Sequence, residues 1–409
     1  MKILRFTALA LALAAGGVFA QQAAAPAASA PQDTLRPEVA TPARAAIELL
    51  RDSKFQEALA KVAEAEKAPN RTPYENFVLD QVRAGAAAGA GDTATAVRSY
   101  EAVLATNRMP PDEVRKITEG LTGTYFQQKD YPKAVDAARR HLAAGGTSVQ
   151  VRRVMTQSLY LQKEYAPAAK EALALAAEDE AANRRPGEDL LRLAAASQNQ
   201  LKDEAAYAQT LERLLRHHPK PLYWRDRIAR LQRAASFDDA FTIDAYRLLF
   251  ATGSMDDEND YAILADLAQR ALVPAEAVAV LDAAAAAGKL TKPDVKALKD
   301  KAAKEAAADL KEFDRNAPPP STANALITLG LAQATAGRTD RGIALVEQGL
   351  AKGGATRPEA AKLRLAWIQA QAGRKAPAQA LLRELQSAGG TAGEIARLWL
   401  IHLDRPTAG

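Results

Sequence analysis

The chain of 409 residues contains no cysteine. That absence excludes a disulfide framework, thiolate metal sites and a cysteine nucleophile together. It also excludes a lipid anchor attached through an N-terminal cysteine. Aromatic residues are scarce, at 5%, where a sheet protein would be rich in aromatic and β-branched side chains. Histidine occurs four times, as His141, His217, His218 and His402. None of the four stands in the two-histidine spacing of a helical metal site. There is no Gly-rich loop ending in Lys-Ser or Lys-Thr to cradle phosphate, and no Gly-x-Ser-x-Gly elbow. The acidic run from Asp256 to Asp260 lacks the alternating ligands, central Gly and terminal Glu of a calcium loop. It reads instead as the cap of a helix that opens near Tyr261. These absences lead to the expectation of a non-enzyme with no catalytic residues, no metal and no cofactor.

A long hydrophobic run occurs only at the start. Lys2 and Arg5 open the chain, Phe6 to Val18 is apolar, and Val18-Phe19-Ala20 fits the small-x-small cleavage rule. The run is about 13 residues, short of the roughly 20 that span a bilayer, so residues 1–20 read as a signal peptide cleaved after Ala20. The expectation is a protein exported to the bacterial periplasm, with no stable membrane insertion after cleavage. Removing Lys2 and Arg5 takes the formal charge from +5 to +3, that is +5 less 2. The remaining charges of both signs alternate along the chain rather than forming a basic face, so no nucleic-acid partner is expected. Residues 21–43, rich in Ala, Pro and Gln, bury too little to order themselves and predict a flexible leader.

What the sequence has in abundance is alanine, the best helix former, and a repeat. Lys54-Phe55-Gln56-Glu57-Ala58-Leu59, Asp92-Thr93-Ala94-Thr95-Ala96-Val97, Asp130-Tyr131-Pro132-Lys133-Ala134-Val135 and Glu164-Tyr165-Ala166-Pro167-Ala168-Ala169 share one pattern. A polar residue, usually an aromatic, two variable positions, an alanine and an apolar residue follow in order. Ala58, Ala96, Ala134 and Ala168 are 38, 38 and 34 residues apart. Such periods mean paired helices that bury their apolar faces only by stacking. The small residue lets two helices approach closely, and the aromatic fills the gap beside their turn.

With these residues the chain resembles the tetratricopeptide repeat family. Leu121 and Tyr125 precede Ala134 at the family spacing, and Met155 and Leu159 stand likewise before Ala168. Leu264-Ala265 precedes Ala277, Leu329-Gly330 precedes Gly342, and Leu365-Ala366 precedes Ala378. Tyr207 takes the marker position of the unit that ends at Pro219, which predicts a wider turn there. The resemblance implies an all-α fold, an α-solenoid of stacked antiparallel helix pairs in a superhelix. The expected organisation is a solenoid over residues 44–315, a Pro-rich linker at 316–320, and a C-terminal repeat pair with a capping helix over 321–409. Ser321 is the expected cap of the first C-terminal helix. Residues 221–253 lack the marker and predict an irregular helix pair with a thicker core, anchored by Tyr223-Trp224.

In this family the first helix of each pair lines a concave groove. Carried onto this chain, the groove positions are Lys116, Glu119 and Phe126, then Gln150, Arg153, Gln157 and Tyr160, then Asp189, Arg192 and Asn199. Aromatics beside Arg and Gln suit an extended peptide or a partner helix, so the expected function is an adaptor for a protein or peptide. Leu214 through Pro219 to Tyr223-Trp224, Tyr246-Arg247-Leu248-Leu249, Ala277 to Leu281 and Gly288-Lys289-Leu290 are similar to periplasmic tetratricopeptide proteins associated with TonB–ExbB–ExbD energy transduction. That similarity implies a TonB-system component as partner. The alternative expectation is a cell-wall or polysaccharide-associated protein that assists an envelope enzyme.

Overall fold

A computed structural model of the chain describes residues 33–315 and 318–405. The signal-peptide reading, and residues 21–32 of the leader, lie outside the described residues. Twenty α-helices and one 3-10 turn make up the described secondary structure, with no strand among the described residues. The all-α reading holds, and the helices pair as the repeat predicts. In chain order the pairs are α1 (Pro37–Arg51) with α2 (Phe55–Ala65), α3 (Pro73–Ala90) with α4 (Thr93–Ala105), α5 (Pro111–Gln127) with α6 (Tyr131–Ala143), and α7 (Val149–Leu161) with α8 (Tyr165–Ala181). The described residues divide into two compact units, which part inside α8 between residues 175 and 176.

The repeat is set by one turn, which joins the two helices of a pair eight times among the described residues. A residue with positive φ follows the first helix of each pair: Ser53, Gly91, Lys129, Lys163, Lys202, Leu272, Gly337 and Gly373. The next amide then reaches back to a carbonyl of the last helical turn, as in Asp92 N to Ala87 O at 2.9 Å and Arg338 N to Gln333 O at 2.8 Å. This is the left-handed helix stop that satisfies otherwise orphaned carbonyls. Five residues beyond each turn stands a marker: Ala58, Ala96, Ala134, Ala168, Tyr207, Ala277, Gly342 and Ala378. The alanines among these are buried, which lets the second helix lie close on the first. Tyr207 is too large for that slot and turns aside, donating to Asp226 at 2.5 Å with the Arg230 guanidinium stacked on its ring at 3.9 Å.

Helix starts follow from capping. Asp92, Asp130, Ser148 and Asp203 each accept from the amide three residues on, and Thr72 with Glu75 forms a reciprocal capping box at α3. Proline opens α1, α3 and α5 at the position where the missing N–H costs nothing. In unit 1 the core between α3 and α6 gathers Ala84, Ala87, Tyr100, Ile117, Leu121 and Tyr125. Burying a leucine such as Leu121 contributes about 1.5–3 kcal/mol.

Unit 2 holds α9 (Glu188–Gln200), α10 (Glu204–His217), α11 (Pro221–Arg233), the 3-10 turn Asp239–Phe241 and α12 (Thr242–Ala251). It continues through α13 (Glu258–Arg270), α14 (Pro274–Ala286), α15 (Pro293–Phe313), α16 (Ala323–Thr335), α17 (Thr339–Lys352), α18 (Pro358–Gln371), α19 (Lys375–Ala388) and α20 (Gly390–Leu403). Trp224 and Tyr223 are buried as core anchors. α16 and α17 meet backbone to backbone: a Cβ on Gly342 would stand 2.5 Å from the Gly330 carbonyl oxygen.

Three expectations need correction. The leader does not run to residue 43: α1 begins at Pro37, and Val39, Pro42 and Ala43 are buried. Arg36 pins this start, because the fully buried Glu75 carboxylate accepts from its backbone amide and its guanidinium. The cap of α16 is Thr322, which accepts from the Ala325 amide, rather than Ser321. The described part of the Pro-rich stretch lies within unit 2, and α14 and α16 on its two sides touch each other.

Candidate partner-binding site

The first helices α5 and α7 are neighbours in unit 1. On α5, Asp112, Arg115, Lys116 and Glu119 share one face by their spacing of three, one and three. With His141 of α6 and the Gly145–Ser148 loop they line an open recess of about 520 Å³. Arg115 donates to Asp112 at 2.7 Å and to the Ala144 carbonyl at 2.9 Å, which ties the loop to α5. Lys116 pairs with Glu113 at 2.9 Å and remains exposed. Ser148 donates its hydroxyl to Glu119 at 2.8 Å while capping α7. The first turn of α7 carries no acidic residue, so the partial positive charge of its amides faces this loop uncompensated from within the helix.

His141 is the hinge of the arrangement. Its Nδ1 lies 3.0 Å from the Arg115 carbonyl oxygen, so that nitrogen carries the hydrogen in the neutral ring. Its Nε2 is buried without a partner, against Gly146, where an added Cβ would sit 2.2 Å away. A glycine is therefore required at 146 for the loop to lie on the imidazole. The Ser148 hydroxyl is engaged with a carboxylate, not with the imidazole. The recess presents both charge signs and two hydroxyls, a surface that fits a polar, extended chain.

Of the ten expected groove residues, Lys116 and Glu119 come together in this recess. Gln150 and Gln157 are exposed on α7, with Arg153 half-buried between them and engaged in an interaction. Phe126 and Tyr160 are half-buried and plug the turns of their own pairs. Phe126 packs on Tyr131 at 5.8 Å and Tyr160 on Tyr165 at 5.5 Å, so neither stands free as an aromatic anchor. In unit 2, Asp189, Arg192 and Asn199 are exposed on α9. Asn199 accepts from Arg230 at 3.0 Å, and Asp189 also has a partner. Asp112, Arg115, His141, Gly146, Thr147 and Ser148 were not among the sequence candidates. The readable signal was Gly145-Gly146-Thr147-Ser148, a small and polar joint directly before α7.

Elsewhere the histidines serve local ends. His217 Nε2 lies 2.9 Å from Glu180, and His218 Nε2 lies 2.8 Å from the Pro186 carbonyl oxygen. Asp257 caps α13 through the amides of Asn259 and Asp260. Glu188 is held at about 2, well below the ordinary carboxylate range, by hydrogen bonds from Lys220 and then Tyr223. Among the described residues no group of three or more His, Asp or Glu could hold a metal ion. No helix among them is long and apolar enough to cross a membrane.

No family model matches the sequence, and no curated protein matches it. Among solved structures, the chain is similar to one described as Naa15/Naa10 bound to HypK-THB, at 16% identity and a TM-score of 0.28, with 84% of this chain and 57% of that chain covered. It is also similar to the pentatricopeptide repeat protein PPR10 from maize, at 11% identity and a TM-score of 0.27, with 88% and 61% covered. The chain thus spans about three fifths of the length of either. The helical-repeat fold itself, of the tetratricopeptide type, rests on the paired helices and the eight identical turns.

Proposed function

We propose that the protein is a non-enzymatic adaptor that holds an extended peptide, or a helix of a partner protein, along α5 and α7 of unit 1. The observation that carries this reading is the open recess against Lys116 and Glu119, continued by the exposed Gln150 and Gln157. Repeat walls of this kind recognise a chain by many small polar contacts and a few charges. The mixed charge of the recess favours a ligand segment that itself carries both signs. The reading includes export to the periplasm, which the N-terminal Lys2, Arg5, the apolar run and Ala20 support. More particularly, the partner is a component of a TonB–ExbB–ExbD system, a proposal supported by the similarity of residues 214–290.

The test is capture of envelope proteins on the full chain, beside a Lys116→Glu, Gln157→Glu variant. The reading expects specific protein retained by the wild type and lost, by about tenfold or more, from a variant that keeps its helix content. Equal retention by both would remove the α5–α7 face as the site. Retention of purified glycan without any protein would favour the cell-wall reading. Sequencing the N-terminus of the envelope-borne protein checks export, with Gln21 as the expected first residue.

A further inference from the structure

Unit 2 is closed by its own last helices, and the closure is ionic. Arg227 of α11 meets Glu394 of α20 at 2.8 Å, and Glu212 of α10 meets Arg397 of α20 at 2.9 Å. Asp244 of α12 meets Arg364 of α18 at 3.2 Å, and Asp238 meets Arg357 at 2.6 Å. Thr391 adds hydrogen bonds, accepting from the Asp238 amide at 3.0 Å and donating to the Ser236 carbonyl at 3.2 Å.

Three of the four pairs are lopsided, while Asp238 and Arg357 are both about half exposed. Arg227 is 3% exposed where Glu394 is 40%, Glu212 5% where Arg397 is 30%, and Asp244 3% where Arg364 is 22%. In each, the buried charge belongs to α10–α12 and the partly hydrated one to the C-terminal helices. Breaking a buried pair is costly when it strands a charge. Here most of the buried charge keeps a partner on its own side. Arg227 and Glu212 pair with each other at 3.0 Å, Asp244 keeps Arg247 at 3.0 Å, and Glu394 keeps Arg397 at 2.7 Å. Parting the two faces leaves Arg227–Glu212 and Glu394–Arg397 as neutral pairs; at α12 Arg247 still holds both Asp244 and Glu276, with one net negative charge, and Arg364, Arg357 and Asp238 turn to water.

The closed seam is also imperfectly satisfied. Trp224 Nε1, Arg397 Nε and His402 Nδ1 are buried without partners. A cavity of about 70 Å³ lies among Arg247, Glu276, Thr335 and Trp367. The three tryptophans of the chain all sit on this seam. Trp224 and Trp399 flank His402 with ring centroids at 6.1 and 5.6 Å, and the Arg247 guanidinium stacks on Trp367 at 3.9 Å. Their burial makes the closed form the resting state, since opening wets apolar rings.

We propose that the seam between α10–α12 and α18–α20 is an ionic latch, by which the C-terminal helices release from unit 2 without unfolding when the cross-seam pairs are screened or competed for.

Acrylamide quenching of tryptophan fluorescence in the full chain reads the latch, because Trp224, Trp367 and Trp399 are 0%, 4% and 4% exposed when it is shut. Between about 0.02 M and about 0.5 M NaCl, screening of the half-hydrated members should raise the quenching constant by about twofold or more with far-UV circular dichroism unchanged. Glu394→Lys should show the raised value already at low salt, and Glu394→Gln a value between it and the wild type. Should Glu394→Lys lose helix, the wild-type salt series and Glu394→Gln decide. Quenching that stays flat with salt until helix is lost, or a folded Glu394→Lys or Glu394→Gln indistinguishable from wild type, overturns the proposal.

Discussion

Replacing Glu75 by Gln should undock the N-terminal helix. Glu75 is fully buried and accepts from the Arg36 amide at 3.0 Å, from the Arg36 guanidinium at 2.9 and 2.8 Å, and from the Thr72 amide at 2.8 Å. The Arg36 hydrogen bonds lead the forces that hold its carboxyl at about 2, against an ordinary 4.5. A depression of that size corresponds to about 3 kcal/mol of folding linkage at most. Arg36 is 41% exposed and hydrates once released, so roughly half of that, 1–2 kcal/mol, is the expected loss. Gln turns an N–H toward donors that need an acceptor, which keeps the change from being neutral. Because the folded value is depressed, the stabilisation is fully present above the unfolded value near 4.5. It is lost as pH falls from there toward 2. Urea unfolding of both proteins across that window, with hydrogen exchange of the α1 amides, is the assay. The wild type should exceed Glu75→Gln at neutral pH, and the difference should close in acid. A gap that persists at pH 2, or α1 protection equal in both proteins at neutral pH, refutes the reasoning.

Gly342→Ala should destabilise the C-terminal repeats by about 1–3 kcal/mol or more, since the added Cβ meets the Gly330 carbonyl and the Ala334 backbone; thermal unfolding measures it. Leu272→Gly should stabilise slightly, by about 0.5 kcal/mol, because Leu272 has φ +58° and is 63% exposed. Relief of left-handed strain there is partly offset by a freer unfolded chain. Arg247→Ala should cost about 3–5 kcal/mol by stranding the buried Asp244 and Glu276. Its effect on urea midpoints should exceed that of Arg270→Ala, whose pair with Asp266 is exposed.

The repeat was legible because it is local. The turn residue, the marker five positions on and the aromatic between them lie within one short window, so Ala58, Ala96, Ala134 and Ala168 declare the helix pairs without tertiary knowledge. The irregular stretch at 221–253 was legible for the same reason, as a missing marker. Long-range pairing was not. Arg227 and Glu394 are 167 residues apart, and Asp244 and Arg364 are 120 apart; singly, each looks like an ordinary surface charge. The start of α1 escaped because Ala and Pro composition hides a helix whose order comes from Glu75, 39 residues beyond Arg36. The division at 175/176 falls inside a continuous helix, where composition does not change. At the candidate site, Lys116 and Glu119 followed from repeat position, whereas Phe126 and Tyr160 were drawn inward by Tyr131 and Tyr165, an outcome set by packing rather than by spacing.

The central claim is that α5 and α7 present the face that holds a partner. Photo-crosslinking in cells tests it most directly, with the reactive side chain placed in the full-length protein at Lys116, Gln150 or Gln157, and at the exposed Arg139 of α6 as the reference. The account predicts one discrete protein adduct from the three α5–α7 positions and none from Arg139. Adducts from Arg139 equal to those from Gln157, or none from any of the three in cells that make the folded protein, would contradict it.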